Sequence, residues 1–317
     1  MNSKEQKYLD EKYLSKKAAW LYHVAKLNQN QIAENIGLSK MRVHRLIAFA
    51  ENNGYVKTFV EGNFYETSKY EEILKEKYNI NFCEVIPNDF EINNITNSLG
   101  AAGARFLINQ INQKNINEFG IGTGRTMFSL AKWLPKIEKQ INVISLNGSL
   151  TYNNAIRTRT VMSQISDKIN GECFATGMPL IIETIEQRKI VEKIKFIKDI
   201  MNKANNTKIK IFGVGGLDSS SQIVKTKIFS KETVIRLKED GAIGEVGGNF
   251  FNMNGKQISN EETSKVLAAD SNYFKKSMTV LIAGGKNKAK QIKSALKSEL
   301  FFGLITDETT AGMLVKK

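Results

Sequence analysis

FGIGTGRTMFSLAKWL, residues 119–134, reads as an apolar strand, a glycine-rich turn and a helix. The same grammar returns along the chain in INVISLNG (141–148), IKIFGVGG (209–216), TVLIAGG (279–285) and FFGLITD (301–307). Short runs of Val, Ile and Leu that close on Gly or Asp are what a strand covered on both faces looks like. Their separation by amphipathic stretches predicts an α/β unit with a parallel sheet. This body spans 92–317. Ahead of it, 61–91 reads as a polar connector with a helix from Ser68 to Tyr78, and 1–60 reads as helices ending in a short extended segment, Tyr55 to Val60.

The composition fits this division. At 317 residues the chain holds one large domain or two unequal ones. Hydrophobic residues make up 41% and charged residues 25%, which excludes a disordered tail, a collagen-like fibre and a disulfide-framework domain. No apolar run approaches the roughly 18 residues that cross a bilayer, and the N-terminus lacks the apolar stretch of a signal peptide, so a cytoplasmic protein without a membrane partner is expected. Cys83 and Cys173 form no CxxC and the only histidines are His23 and His44, so neither a metal nor another cofactor is expected. The formal net charge is +14. Residues 1–60 hold ten Lys and Arg against five Asp and Glu, a net +5, and the rest carries +9. The total therefore hints at an anionic partner without locating it.

Position is more informative. AAWLYHVAKLN (18–28) spaces Trp20, Leu21, Val24 and Leu27 along one helical face. QNQIAENIG (29–37) follows, with Ile32, Ala33 and Ile36 on one side and Gly37 as its stop. Ser39 then caps KMRVHRLIAFAENNG (40–54), whose inner face is Val43, Leu46, Ile47 and Ala50. Two helices joined by a short turn, the second basic at its start, match a helix-turn-helix. From Ser39 to Arg45 there are three cations and no acid. Lys40, Met41, Arg42, His44 and Arg45 form the outward face, Arg42 or Arg45 can fork onto guanine, and Gln29 and Gln31 can reach phosphates. The competing reading is a helical hairpin docked on the body, with those cations simply solvated.

In the body, Gly122, Thr123, Gly124, Arg125 and Thr126 stand where a strand gives way to a helix. There the backbone can approach a ligand, the free amides favour an anion and Arg125 can pair with phosphate; a merely tight turn is the alternative. The loop is neither GxxxxGK[ST] nor GxGxxG. Gly213, Gly215 and Gly216 close another strand, and Lys286 and Lys288 follow a third. Ligands of open sheets sit beyond such strand ends, so these loops describe a pocket for a small, oxygen-rich, anionic molecule. Asp307, Glu308, Glu245 and Asp240 are the candidate acid or base groups, each with a plainer role open to it in a cap or turn.

In order, LNQNQIAENIGLSKMRVHRLIAFAENNGYV (27–56), GIGTGRT (120–126), NAIRTRTVMSQISDKINGECFATGMPLI (154–181), IFGVGGLDSSSQ (211–222), LKEDGAIGEVGGNFFNMNGKQI (237–258) and IAGGKNKAKQIKSALKSELFFGLITDETTAGML (282–314) resemble the SorC family of bacterial sugar-responsive transcriptional regulators. The resemblance covers nearly the whole chain. It implies a winged or wing-like helix-turn-helix domain and a Rossmann-like effector domain similar to sugar-phosphate isomerases, assembled as a homodimer or homotetramer on double-stranded operator DNA. The effector implied is a sugar or phosphosugar, and the pocket residues implied are the 122–126 loop, Gly215, Gly216, Asp240, Glu245 and Lys288. Two departures stand out. The family often carries aspartate where this chain has Glu245 and Asn252, and NGSL (147–150) is more polar than the family's aliphatic-glycine form. The alternative function is a phosphosugar isomerase or deaminase-like enzyme.

Overall fold

The computed structural model describes residues 3–57, 64–88, 95–114, 116–150, 160–219 and 221–316. Two units emerge, Met1–Glu61 and Gly62–Lys317.

The first unit holds α1 (Ser3–His23), α2 (Gln29–Ile36) and α3 (Lys40–Asn52). Asn28 and Gln31 form a capping box at the start of α2, and Gly37 ends it in the left-handed conformation, φ 67°. Ser39 caps α3 by accepting from the Arg42 amide at 3.3 Å. Ile32, Val43, Leu46, Ile47, Ala18 and Leu21 make the core. The expected inner face of α1 is rotated: Trp20 and Val24 are 57% and 62% exposed, and the small Ala18 and Ala19 are buried instead. An alanine lets α1 approach α3 closely where an indole does not fit. Of the expected wing, Tyr55–Lys57 form no strand, and 58–60 lie outside the described residues.

The second unit begins with α4 (Phe64–Tyr78), which starts four residues before the predicted helix. It continues with β1 (Phe82–Ile86), α5 (Ile95–Gln113), β2 (Glu118–Ile121), α6 (Arg125–Trp133), β3 (Ile137–Gln140) and β4 (Asn142–Ser145). Then come α7 (Val161–Ser166), β5 (Ile169–Asn170), β6 (Cys173–Phe174), α8 (Ile185–Lys193), α9 (Lys195–Asn206), β7 (Ile209–Phe212) and β8 (Gly215–Gly216). The chain closes with α10 (Gln222–Lys225), α11 (Lys231–Glu239), β9 (Ala242–Val246), β10 (Asn249–Asn252), β11 (Met278–Ile282), α12 (Ala289–Lys297), β12 (Gly303–Asp307) and α13 (Glu308–Val315).

Seven strands form one sheet in the order β1-β12-β11-β7-β2-β4-β6, every pair parallel. Apolar clusters cover both faces, around Leu281, Phe212 and Ile292 on one and Phe119, Leu130 and Ile282 on the other. That two-sided burial is why the strands read as continuous apolar runs. The expected connector, 61–91, is corrected here. Its described part is body: β1 pairs with β12, and Tyr78 of α4 donates to the Leu314 carbonyl at 3.1 Å. A smaller antiparallel sheet runs β10-β9-β8. Its β9–β10 hairpin turns on Gly247 and Gly248, φ 60° and 97°, the positive values that a two-residue hairpin turn demands.

Lys210 is the one charged residue fully buried within β7. Its ammonium donates to the carbonyls of Asn205 and Thr207, at 3.0 and 2.9 Å, and to the Ser277 hydroxyl. Burial pushes its pKa down from 10.5 to about 8, against a weaker opposite pull from Glu118. Between those two values the unfolded chain holds the extra proton, so the contribution of Lys210 to native stability rises with pH. Melting temperatures of wild type and Lys210→Met, compared from pH 7 to 10, are therefore expected to diverge in favour of wild type as pH rises. A pH-independent difference contradicts that assignment.

Candidate anion pocket and nucleic-acid interface

The strand order reverses between β2 and β7: the chain runs from β2 outward through β4 to β6, then returns to β7 and builds the other side. A crevice opens beyond the strand ends at such a point. Here it is a cavity of about 540 Å³, walled by the turns that follow β2, β4, β7 and β11 and by the start of α5.

One wall is the start of α6. Gly124, φ 118°, precedes the helix and offers no side-chain cap, so the first amides of α6 remain available to an anion. Met127, Leu130 and Ala131 anchor the helix in the core, and Arg125 points its charge outward. Nothing lies within 4 Å of the place a Gly124 Cβ would occupy, so glycine is needed there for its dihedral angle and leaves open space above the loop.

The opposite wall is acidic and basic together. Glu245 of β9 accepts from the Gly248 amide at 2.8 Å. Burial pushes its carboxyl above the usual range, while that hydrogen bond and Lys288 work against the rise. Lys288 donates to the Val214 carbonyl at 2.9 Å. Burial lowers its pKa, Arg125 lowers it further, and Glu245 and Asp218 oppose both. Gly215 pairs with Glu245 across β8 and β9, and a Cβ on Gly215 would overlap the Glu245 carboxylate. The glycine thus admits the carboxylate to the cavity wall. The cavity carries Arg125 and the free amides of α6 on one wall and Glu245 beside Lys288 on the other.

Thr123, Gly124, Arg125, Thr126, Gly215, Gly216, Glu245 and Lys288 all line this cavity. Two predicted residues do not. Gly122 is spent in the sheet, its amide on the Ile211 carbonyl at 2.9 Å, and its missing side chain makes room for Phe212. Asp240 caps the end of α11 and accepts from the Asn260 side-chain amide. Its place in DGAIGE put it near Glu245 in sequence, but the two are separated by most of β9. Asp307, read as a candidate acid or base, caps α13 through the Thr310 amide at 2.9 Å and accepts from the Gly285 amide at 2.8 Å. Asn147, after β4, lines the cavity and was not predicted. The signal was there: a polar residue directly following an apolar strand and preceding Gly148. Within the 154–181 block, 154–159 lie outside the described residues.

In the first unit, Ser39, Lys40, Met41, Arg42, His44 and Arg45 are exposed, and Met41 is 72% exposed. They occupy the side of α3 opposite Val43, Leu46 and Ile47, which are buried. Gln31 is partly occupied, its carbonyl accepting from the Asn28 amide at 2.9 Å. Gln29 lies 3.4 Å from His44 Nδ1. Among the described residues no helix is long and apolar enough to cross a membrane.

Residues 62–316 match the family model described as "Putative sugar-binding domain". The erythritol catabolism regulatory protein EryD of Brucella abortus (strain 2308) is 32% identical over 303 residues, covering 95% of this chain and 96% of that protein. The deoxyribonucleoside regulator of Bacillus subtilis (strain 168) is 27% identical over 314 residues, covering 96% and 98%. The full-length sorbitol operon regulator SorC from Klebsiella pneumoniae shares the fold, with a TM-score of 0.76 at 20% identity over 96% of this chain and 98% of that one. The chain belongs to the SorC family of sugar-binding regulators, and it is a transcriptional regulator rather than the enzyme considered as the alternative.

Proposed function

We propose that this SorC-family member reads double-stranded operator DNA with the exposed face of α3 and holds a sugar phosphate in the cavity at the strand switch point. The observation that carries the second half is the pairing of Arg125 and the open start of α6 with Glu245 across one cavity. Amides and a guanidinium suit a phosphate, and a carboxylate accepts from sugar hydroxyls. On the DNA side, Arg42 and Arg45 reach base edges, Lys40 and the Gln29–His44 pair meet the phosphate backbone, and Met41 meets a thymine methyl. The protein acts in the cytoplasm as a homodimer or homotetramer, with no cofactor beyond the effector. The sugar phosphate changes how the bodies pair and thereby the spacing of the DNA-reading heads.

The coupling must be reciprocal: an effector that weakens operator binding is itself held less tightly by the DNA complex. The test is a footprint of the full chain on its own upstream DNA, repeated with a panel of sugar phosphates. At least one member is expected to shift the midpoint of protection by roughly 5- to 150-fold, the usual size of such couplings. A footprint that no member of the panel moves contradicts the reading.

A further inference from the structure

Asn147 is 3% exposed, yet it lines the cavity. Its amide nitrogen donates to the Thr123 hydroxyl oxygen at 3.0 Å. Its amide oxygen is buried and finds no partner among the described residues. A buried acceptor left unpaired is costly and uncommon. The residue is also held in place. The Ser145 hydroxyl donates to its backbone carbonyl at 2.9 Å, the chain bridges to Ala268, and the next amide, Gly148, donates to the Leu267 carbonyl at 2.9 Å. Gly148 presses so closely on the Pro179 backbone that a Cβ would overlap it. Asn147 is therefore held in the cavity wall with an acceptor that no described residue satisfies.

The contact with Thr123 adds a second constraint. Because the Thr123 oxygen accepts from Asn147, its own proton is free to be donated, and Thr123 sits on the loop that opens α6. One amide thus touches the anion-binding loop and offers a bare acceptor beside it.

We propose that Asn147 is a specificity-determining residue of this cavity, selecting phosphorylated polyols that carry a hydroxyl on the carbon next to the phosphate-bearing one. Its nitrogen orients the Thr123 hydroxyl toward the phosphate, and its oxygen takes the proton of the neighbouring ligand hydroxyl. A deoxy analogue leaves that oxygen unpaired in the complex as in the empty protein, and so forfeits the gain. The proposal rests on the cavity being a sugar-phosphate site and deepens that reading.

The test is calorimetric titration of the full chain with inorganic phosphate, glycerol 3-phosphate and 3-hydroxypropyl phosphate, which lacks only the neighbouring hydroxyl. Wild type is expected to favour glycerol 3-phosphate over the deoxy compound by about ten- to a hundredfold, the worth of satisfying a buried polar group. Asn147→Leu is expected to bind both esters about equally while still requiring the phosphate. Asn147→Asp keeps the acceptor and loses the donor, so it should retain the preference and bind all three phosphates about tenfold more weakly. Wild type that binds the two esters alike overturns the role of Asn147, whatever the variants do. Wild type that binds none of the three overturns the sugar-phosphate reading and this proposal with it.

Discussion

Replacing Arg42 and Arg45 together with alanine is expected to weaken binding to the specific operator by at least about thirtyfold, while binding to an unrelated duplex falls only a few-fold. Each arginine that forks onto a guanine contributes roughly 1–3 kcal/mol of discrimination, and at 1.4 kcal/mol per factor of ten the lower bound for two is already in that range. The head should survive the change. Both side chains are exposed, and the core they flank is built from Val43, Leu46 and Ile47 on the other side of α3. Lys40→Ala is the contrasting variant. A lysine at a phosphate weakens all sequences alike and flattens the salt dependence by about one contact. Fluorescence anisotropy on matched specific and scrambled duplexes, at a fixed and stated salt concentration, separates the outcomes. Equal losses on both duplexes for the double variant would remove base reading from α3.

The second large effect is expected from Lys288→Met, set beside Arg125→Ala. Lys288 is half-buried, with Glu245 and Asp218 favouring its charge and Arg125 opposing it. Its loss removes the cation that favours the charge of the half-buried Glu245, and removing one partner of a charge pair costs roughly 3–5 kcal/mol when both are fully buried. Because the Lys288 ammonium is already disfavoured by its surroundings, about 2 kcal/mol is expected here. Arg125 is exposed, and its removal relieves Lys288 of an unfavourable neighbour. Arg125→Ala should therefore leave urea stability within about 0.5 kcal/mol of wild type. Its cost falls on the ligand, whose affinity drops by ten- to a hundredfold or so with the loss of a charge-assisted contact. The expected result is a protein that still binds operator and answers the effector only at correspondingly higher concentration. Equal destabilisation by both variants would contradict the charge arrangement described for the cavity.

Most of this architecture was legible from periodicity alone. The five runs that opened the sequence reading became β2, β4, β7, β11 and β12, because strands covered on both faces carry no alternation to confuse them. β1 was missed for the converse reason. Its five residues alternate between half-buried and buried, as suits the sheet's edge, and a charged Glu84 interrupts the apolar run. Trp20 and Val24 were placed inward by spacing, but spacing fixes only which residues share a face and not which face meets α3. The glycine-lined strand ends picked out in the sequence lie along the cavity wall. What they could not supply was the division between glycines that line the cavity and one, Gly122, that accommodates Phe212. Nor does adjacency in DGAIGE say that Glu245 points into the cavity while Asp240 ends a helix. The value of Asn147 lay in an unpaired oxygen, which no sequence pattern encodes.

The pairing of β1 with β12 joins segments more than 200 residues apart, Phe82 beside Gly303. During synthesis the sheet therefore stays one edge short until β12 has left the ribosome. The head, whose helices contact one another over some 50 residues, can fold much earlier. A nascent chain thus presents a finished helical head well before its body is complete. Truncation between β11 and β12 leaves β11 and β1 with unpaired edges, the surfaces that invite aggregation. Incomplete chains are for that reason expected to be removed by aggregation and proteolysis before they can occupy operators without control.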